Sequence, residues 1–314
     1  MSNSDWAKLT LLALLWGTTF FYVEIALTAL PPLTIVLLRV GLGALVLWAV
    51  LRLTGVAVPR DPAIWRMFFV MGFLNNLVPF TLFAFGQSHI ASGLAAILNA
   101  TTPLFTILVA HVLTGDDRLT PAKALGLGLG FGGVVVLMGG TALAPVGGLV
   151  LLAQAACVGA ALSYAFGSVY GRRFARAGVP PQATAFGQVA ASSVMLLPFA
   201  LMIEAPWRLP MPPAHVWAAV GALAVLGTAL AYVIYFRLLA SAGAVNLMLV
   251  TFLIPVTALA LGIGVLGERL APHHLAGMGL IGLGLVAIDG RATAALRRRL
   301  RAGRLRAPRS GSLR

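Results

Sequence analysis

Long apolar runs, separated by very short polar interruptions, set the pattern of the whole chain. Runs with few or no charges cover 8–30, 32–51, 65–88, 91–113, 120–140, 148–171, 181–202, 215–239, 244–266 and 272–290, and Pro, Gly or charged residues divide them. Crossing the hydrocarbon core of a bilayer takes about 20 apolar residues in a helix that rises about 1.5 Å per residue. Each run is therefore predicted to be a membrane-spanning helix, ten in all, in an all-α integral membrane fold. The narrowest turns fall at Pro31-Pro32, His89 and Gly243. The first run is too long for a signal-peptide core, contains Glu24 and shows no small-residue cleavage site, so it is read as a retained first helix.

Composition agrees. Of the 314 residues 60% are hydrophobic and 10% charged, whereas a soluble domain carries roughly 25% charged residues. So few ionic groups cannot cover a water-facing surface. The net charge of +14 raises the question of nucleic acid, but nine of the 22 Lys and Arg lie in 291–314, directly after the last apolar run. Basic residues in that position orient a membrane protein, and no nucleic-acid partner is expected. With both termini cytoplasmic, ten spans place Lys8, Arg52, Arg60, Arg66, Arg118, Lys123, Arg172, Arg173, Arg176 and Arg237 inside, and only Arg208 and Arg269 outside. Nine or eleven spans would break this bias. The single cysteine, Cys157, excludes a disulfide within the chain.

The chain also repeats itself. Asp117-Arg118-Leu119-Thr120-Pro121 returns 151 residues later as Glu268-Arg269-Leu270-Ala271-Pro272, and at that offset Gly126, Gly128, Gly133 and Gly139 fall on Gly277, Gly279, Gly284 and Gly290. Pro103 matches Pro255 with a one-residue slip. The division is a first repeat over 1–143, a second over 144–290 and a basic cytoplasmic tail over 291–314. Five helices per repeat is an odd number, so the second half runs through the membrane inverted, and inverted repeats put a substrate site at their interface near the midplane. The overlapping GxxxG spacings from Gly126 to Gly133 predict close packing of the fifth helix on the tenth rather than a dimer face. Gly277, Gly279 and Gly282 also spell GxGxxG, but without a strand before them this is no dinucleotide site.

On Trp16-Gly17, Pro32 with Arg39, the block from Pro103 to Gly139, and their second-half counterparts Pro255, Gly267-Glu268-Arg269-Leu270 and Gly277 to Gly284, the sequence resembles the EamA-type branch of the drug/metabolite transporter superfamily. The resemblance covers 8–290 and is strongest to bacterial amino-acid and metabolite exporters of the YddG kind. It implies an inner-membrane exporter whose cavity is walled by helices one, three, four, six, eight and nine. One departure stands out: many members carry a lysine in the first helix near the position of Glu24, so no role of that lysine transfers here.

Glu24 and Arg39 are the embedded acid and base, each predicted roughly 9–10 Å below the outer end of its helix. Charges at that depth are costly alone, so the two are expected to pair, either as a gate or substrate contact or as a structural ion pair. Trp16 joins the cavity candidates from the first helix. Asn76, Phe80, Phe83 and Gln87 form one stripe of the third helix, beside Asn75. Asn99, Thr102 and Thr106 form a second, Gln154, Tyr164 and Ser168 a third, and Thr228, Tyr232 and Tyr235 a fourth. For each residue the alternative is a polar lock between helices. Pro79, Pro103 and Pro255 are candidate hinges, the last two related by the repeat, with a static kink as the alternative. His273 and His274 lack metal-ligand spacing, as do His89 and His111, and no metal or cofactor is expected.

No GxxxxGK[ST] loop is present, so ATP does not drive this chain directly. The expected function is a secondary transporter of amino acids or similar small metabolites, working by alternating access as a monomer or homodimer. A drug or cation exporter of the same fold would need a buried acid, for which Glu24 is the one candidate. An intramembrane enzyme would need converging catalytic motifs such as HExxH, and none appears.

Overall fold

With lipid as solvent, every span must close its own backbone hydrogen bonds. In the computed structural model, which describes residues 2–114, 120–142, 147–247 and 250–289, the regular elements are all helical. Ten spans follow one another: α1 (Asn3–Leu27), α2 (Pro32–Thr54), α3 (Pro62–Gln87), α4 (Ser92–Leu113), α5 (Pro121–Ala142), α6 (Gly147–Arg176), α7 (Pro181–Glu204), α8 (Ala214–Ala224 continued by Val225–Leu230 and Ala231–Leu247), α9 (Val250–Gly264) and α10 (Pro272–Asp289). The first eight are long and apolar enough to cross a membrane, and α9 and α10 are shorter apolar helices. The fold is two inverted five-helix repeats. The first copy of the repeated motif at Asp117, Arg118 and Leu119, with Gly290 and the tail 291–314, lies outside the described residues. The turn expected at Gly243 is not there, because α8 continues to Leu247.

Polar ties mark the two faces. At the face where α1 begins, Ser2 and Asp5 form a capping box, and Ser241 Oγ at the end of α8 donates to the Asp5 carboxylate at 2.7 Å. This face carries the start of α3 and the end of α6 with Arg66, Arg172, Arg173 and Arg176. At the opposite face two helices begin after residues that offer no side-chain cap, Pro31 before α2 and Ala91 before α4. A carboxylate from the other repeat serves each. Glu204 accepts from the Leu33 and Thr34 N–H groups at 2.9 and 2.6 Å, and Glu268 from Ser92 and Gly93 at 2.7 and 3.0 Å. An anion there satisfies orphan donors and complements the helix dipole. Gly262 leaves room for the Glu268 carboxyl, which a Cβ would strike. A charged cap of two such bonds is worth about 2 kcal/mol. Glu268→Ala is thus expected to lower the melting temperature in detergent by several degrees, and an unchanged melt would show that the cap contributes nothing.

Small residues decide which helices touch. α5 and α10 pack backbone to backbone: a Cβ on Gly126 would lie 2.6 Å from the Gly284 carbonyl oxygen, and one on Gly133 would lie 2.7 Å from that of Gly277. The seam is therefore internal to the chain, as the GxxxG spacing predicted.

Among the described residues, three spans contain a widened turn with i→i+5 bonding: Phe73–Leu77 in α3, Ala200–Glu204 in α7 and Val225–Leu230 in α8. Those in α3 and α8 are repeat-related, the second beginning 152 residues after the first. Pro79 explains the first, since its ring excludes the preceding turn and supplies no N–H. Carbonyls around these turns are taken by hydroxyls. Ser163 Oγ donates to Leu74 O at 2.7 Å, Ser192 Oγ to Gly72 O at 3.1 Å and Thr228 Oγ1 to Leu223 O at 2.9 Å. The prolines treated alike by sequence differ in backbone. At Pro103 α4 is interrupted, its halves ending at Asn99 and restarting at Thr102, whereas Pro255 sits within continuous α9.

Candidate functional site

The α3 and α8 bulges sit where the two repeats meet, and between them lies a cavity of about 570 Å³, a volume that suits a small organic solute. α1 contributes Trp16, Thr19, Phe20 and Val23; α3 contributes Asn75, Phe80, Phe83 and Gln87; α4 contributes Asn99, Thr102, Pro103 and Thr106. From the second repeat come Tyr164 and Ser168 of α6, Tyr232 and Tyr235 of α8, and Thr251 and Ile254 of α9. The wall also includes Ile35, Val36 and Arg39 of α2, and Thr184 and Gln188 of α7, two helices that the resemblance did not imply.

The repeat offset of 152 maps Phe80 and Phe83 onto Tyr232 and Tyr235, and Asn99 onto Thr251. A pseudo-two-fold axis thus sets an aromatic pair against an aromatic pair. Within this frame the rings pack on one another: Phe20 meets Phe83 edge-on at 5.6 Å, Phe83 stacks on Tyr164 at 6.1 Å, and Trp16 tilts on Tyr235 at 5.7 Å. Such contacts add about 0.5–1.5 kcal/mol each beyond the area they bury, so the apolar wall is held in shape.

The cavity opens at one end. Ser168, Arg172 and Ala175, on the last turns of α6, are exposed, whereas Phe20, Val23, Ile35 and Gln87 at the far end are buried. Gln87 Nε2 donates to Phe20 O at 2.7 Å and ties α3 to α1 at that closed end. The mouth is on the face that carries the arginines.

Polar groups cross-link the repeats at mid-depth. Counted from the prolines that start their helices, Arg39 of α2 and Gln188 of α7 occupy the same position. Arg39 Nε donates to Thr228 Oγ1 in the α8 bulge at 3.2 Å, and Asn75 Nδ2 in the α3 bulge donates to Gln188 Oε1 at 3.0 Å. Each bulge is therefore bonded to a helix of the opposite repeat. Asn75 and Asn76 each place Nδ2 3.3 Å from the Tyr232 hydroxyl.

Two sequence expectations need correction. Glu24 and Arg39 do not pair. Arg39 is 8% exposed, lies on the Phe80 ring with its guanidinium carbon 3.7 Å from the centroid, and has no carboxylate within ion-pairing distance among the described residues. Glu24 lies one residue, or about 100°, past the Trp16–Phe20–Val23 stripe of α1. It stands outside the cavity wall, with Oε2 unbonded among the described residues. Depth matched the two charges, but their faces diverge. The second correction concerns Asn76, which is fully buried behind Tyr232 while Asn75 reaches the cavity. A widened turn shifts the helical phase, which a 3.6-residue repeat does not anticipate. Pro79 and Pro255 stand back from the wall as well. The remaining candidates, Trp16, Phe80, Phe83, Asn99, Thr102, Tyr164, Tyr232 and Tyr235, all face the cavity. Thr19 and Gln188 were missed. Thr19 falls three residues after Trp16, a signal the spacing already held, whereas Gln188 had none.

A cation in the wall at mid-helix costs roughly 2.5–3.5 kcal/mol on insertion scales. The Thr228 hydroxyl and the Phe80 face offset part of that, and no Asp or Glu lines the cavity among the described residues. The site can thus hold a small solute with an apolar body, hydrogen-bond it through amides and hydroxyls, and present one buried positive charge.

Known proteins resemble this chain throughout. The model of the EamA-like transporter family matches residues 6–139 and 151–288. The inner membrane transporter YedA of Escherichia coli (strain K12) is 29% identical over 288 residues, 88% of either chain. Protein PecM of Dickeya dadantii is 28% identical over 278 residues, 87% of this chain and 88% of its own. A solved crystal structure superposes with a TM-score of 0.65 at 23% identity, covering 95% of this chain and 99% of that one, and so shares the fold. Two halves that each match one family model, folded as inverted repeats around a shared cavity, identify this chain as a membrane transporter of the EamA-like family, within the drug/metabolite transporter superfamily.

Proposed function

We propose that the chain is a secondary transporter that exports amino acids or similar small metabolites across the bacterial inner membrane by alternating access, with both termini cytoplasmic. The observation that carries this reading is the cavity of about 570 Å³ between the repeats, open at the basic face and closed at the other. A solute entering from the cytoplasm would reach Tyr164, Tyr232 and Asn75 at mid-depth, and exit would require the Phe20, Val23 and Gln87 end to part. The YedA relative, named an inner membrane transporter, supports the setting. The paired bulges of α3 and α8 supply repeat-related points at which the helices can flex, better placed than Pro255. Export of cationic drugs is disfavoured, since no acid lines the cavity among the described residues and Glu24 lies outside it.

The test is uptake of a labelled amino-acid panel by liposomes holding the purified protein, with and without a pH gradient. Saturable uptake of at least one amino acid is expected. If none accumulates above empty liposomes, amino acids are not the cargo.

A further inference from the structure

Among the described residues, Arg39 is the buried charge of the cavity wall that has no counterion in the protein. Its guanidinium carries five N–H donors. One, Nε–H, goes to Thr228 Oγ1, and the Phe80 ring covers a face of the group. The other four N–H groups have no protein acceptor among the described residues, and no carboxylate stands within ion-pairing distance. The group is 8% exposed and lines the cavity, at the position that pseudo-symmetry fills with neutral Gln188 in the other repeat. A purely structural tie between α2 and α8 would need only one donor, as the Asn75–Gln188 tie shows.

A planar guanidinium with its outer edge free matches a carboxylate in two parallel hydrogen bonds. Low-dielectric walls strengthen that attraction, and with no acid among the lining residues they hold nothing that favours a second, positive group on the solute. We propose that Arg39 is the substrate-binding residue for a carboxylate, and that this transporter selects monocarboxylates with an apolar or aromatic body whether or not they bear an amine. The inference rests on the transport reading above for the identity of the site, and it goes further in naming which charge the cargo must have. Amino acids are then one subset of cargo. Aryl- and alkyl-alkanoates and 2-oxo acids of similar size are another.

Binding and transport separate the two claims. The full-length protein in nanodiscs is titrated with 3-phenylpropionate, L-phenylalanine, L-phenylalaninamide and phenethylamine, and the same four are offered to proteoliposomes. Expected are competing, saturable binding of the two carboxylates and at least tenfold weaker binding of the amide and the amine. Arg39→Gln is expected to weaken both carboxylates by about 30-fold or more, the scale on which a buried charge partner is lost. Arg39→Lys is expected to fall between. Should Arg39→Gln fail to fold, the comparison of acid with amide in the unaltered protein, together with Arg39→Lys, still decides. Equal affinity for acid and amide, binding of neither carboxylate, or carboxylate binding unchanged in a folded Arg39→Gln protein overturns the proposal. Arg39-dependent carboxylate binding without uptake would leave this assignment standing and sink the transport reading. Uptake of the amide or the amine as fast as the acids would do the reverse.

Discussion

Gly133→Leu is expected to prevent the folded protein from accumulating, whereas Gly132→Leu, one residue away, is tolerated. The difference lies in what each Cβ would meet. At Gly133 it would come within 2.7 Å of Gly277 O and 2.9 Å of Ile281 N, and the reciprocal Cβ on Gly277 would lie 2.7 Å from Gly133 O. Backbone opposes backbone, so no rotamer change relieves the clash. The helices would have to separate, and the neighbouring approach of Gly126 to Gly284 would open with them. In lipid, helix association depends on such close van der Waals contact, because burying apolar side chains gains little from a solvent that is itself apolar. Overpacking a well-packed core costs about 1–3 kcal/mol where side chains yield. Here they cannot, and a loss above that range exhausts much of a stability of about 5–15 kcal/mol. Gly128 and Gly132 have nothing within 4 Å of an added Cβ and serve as controls on the same helix. Size-exclusion profiles and melting in detergent make the comparison. A Gly133→Leu protein that melts within a few degrees of the parent, or a Gly132→Leu protein as damaged as it, would disprove the account.

Removing one residue from each paired bulge, Leu74 in α3 and Leu226 in α8, is expected to reduce transport by at least tenfold in a protein that still folds. A widened turn amounts to one extra residue in the helical ladder, so a deletion restores ordinary i→i+4 bonding in α8, whereas in α3 it re-phases the flanking turns but Pro79 still supplies no N–H to the ladder. The restored helix loses carbonyls that now depend on hydroxyls from elsewhere, as Leu74 O depends on Ser163. It also loses the point where α3 bonds Gln188 through Asn75, and α8 bonds Arg39 through Thr228. If the bulges are where the repeats flex, the straightened protein is folded and slow. Uptake at the parental rate by a folded double deletion would remove them from the transport cycle, and a single deletion in each helix tells whether one bulge suffices.

The chain by itself determined the spans, their inversion and the seam. Each of these follows from a local or additive property. Run length is read directly against bilayer thickness, parity of five forces inversion, and glycine spacing at positions 126 to 133 exposes backbone on one side of α5 whatever else packs nearby. The aromatic stripes of α3 and α8 were legible for the same reason, being regular helix downstream of their bulges. Only the tertiary structure decided what Arg39 and Glu24 do. The two charges share a depth, which sequence gives, but not a face, and the face depends on which neighbours α1 and α2 select. The exchange of Asn76 for Asn75 has a related cause: one widened turn shifts the phase of the stripe that 3.6-residue spacing assigns. Thr228, Gln188, Glu204 and Glu268 acquire their roles only across the repeat boundary, where residues more than a hundred positions apart supply each other's missing hydrogen-bond partners. Local spacing carries no trace of such partners, because they are chosen by the packing of whole helices.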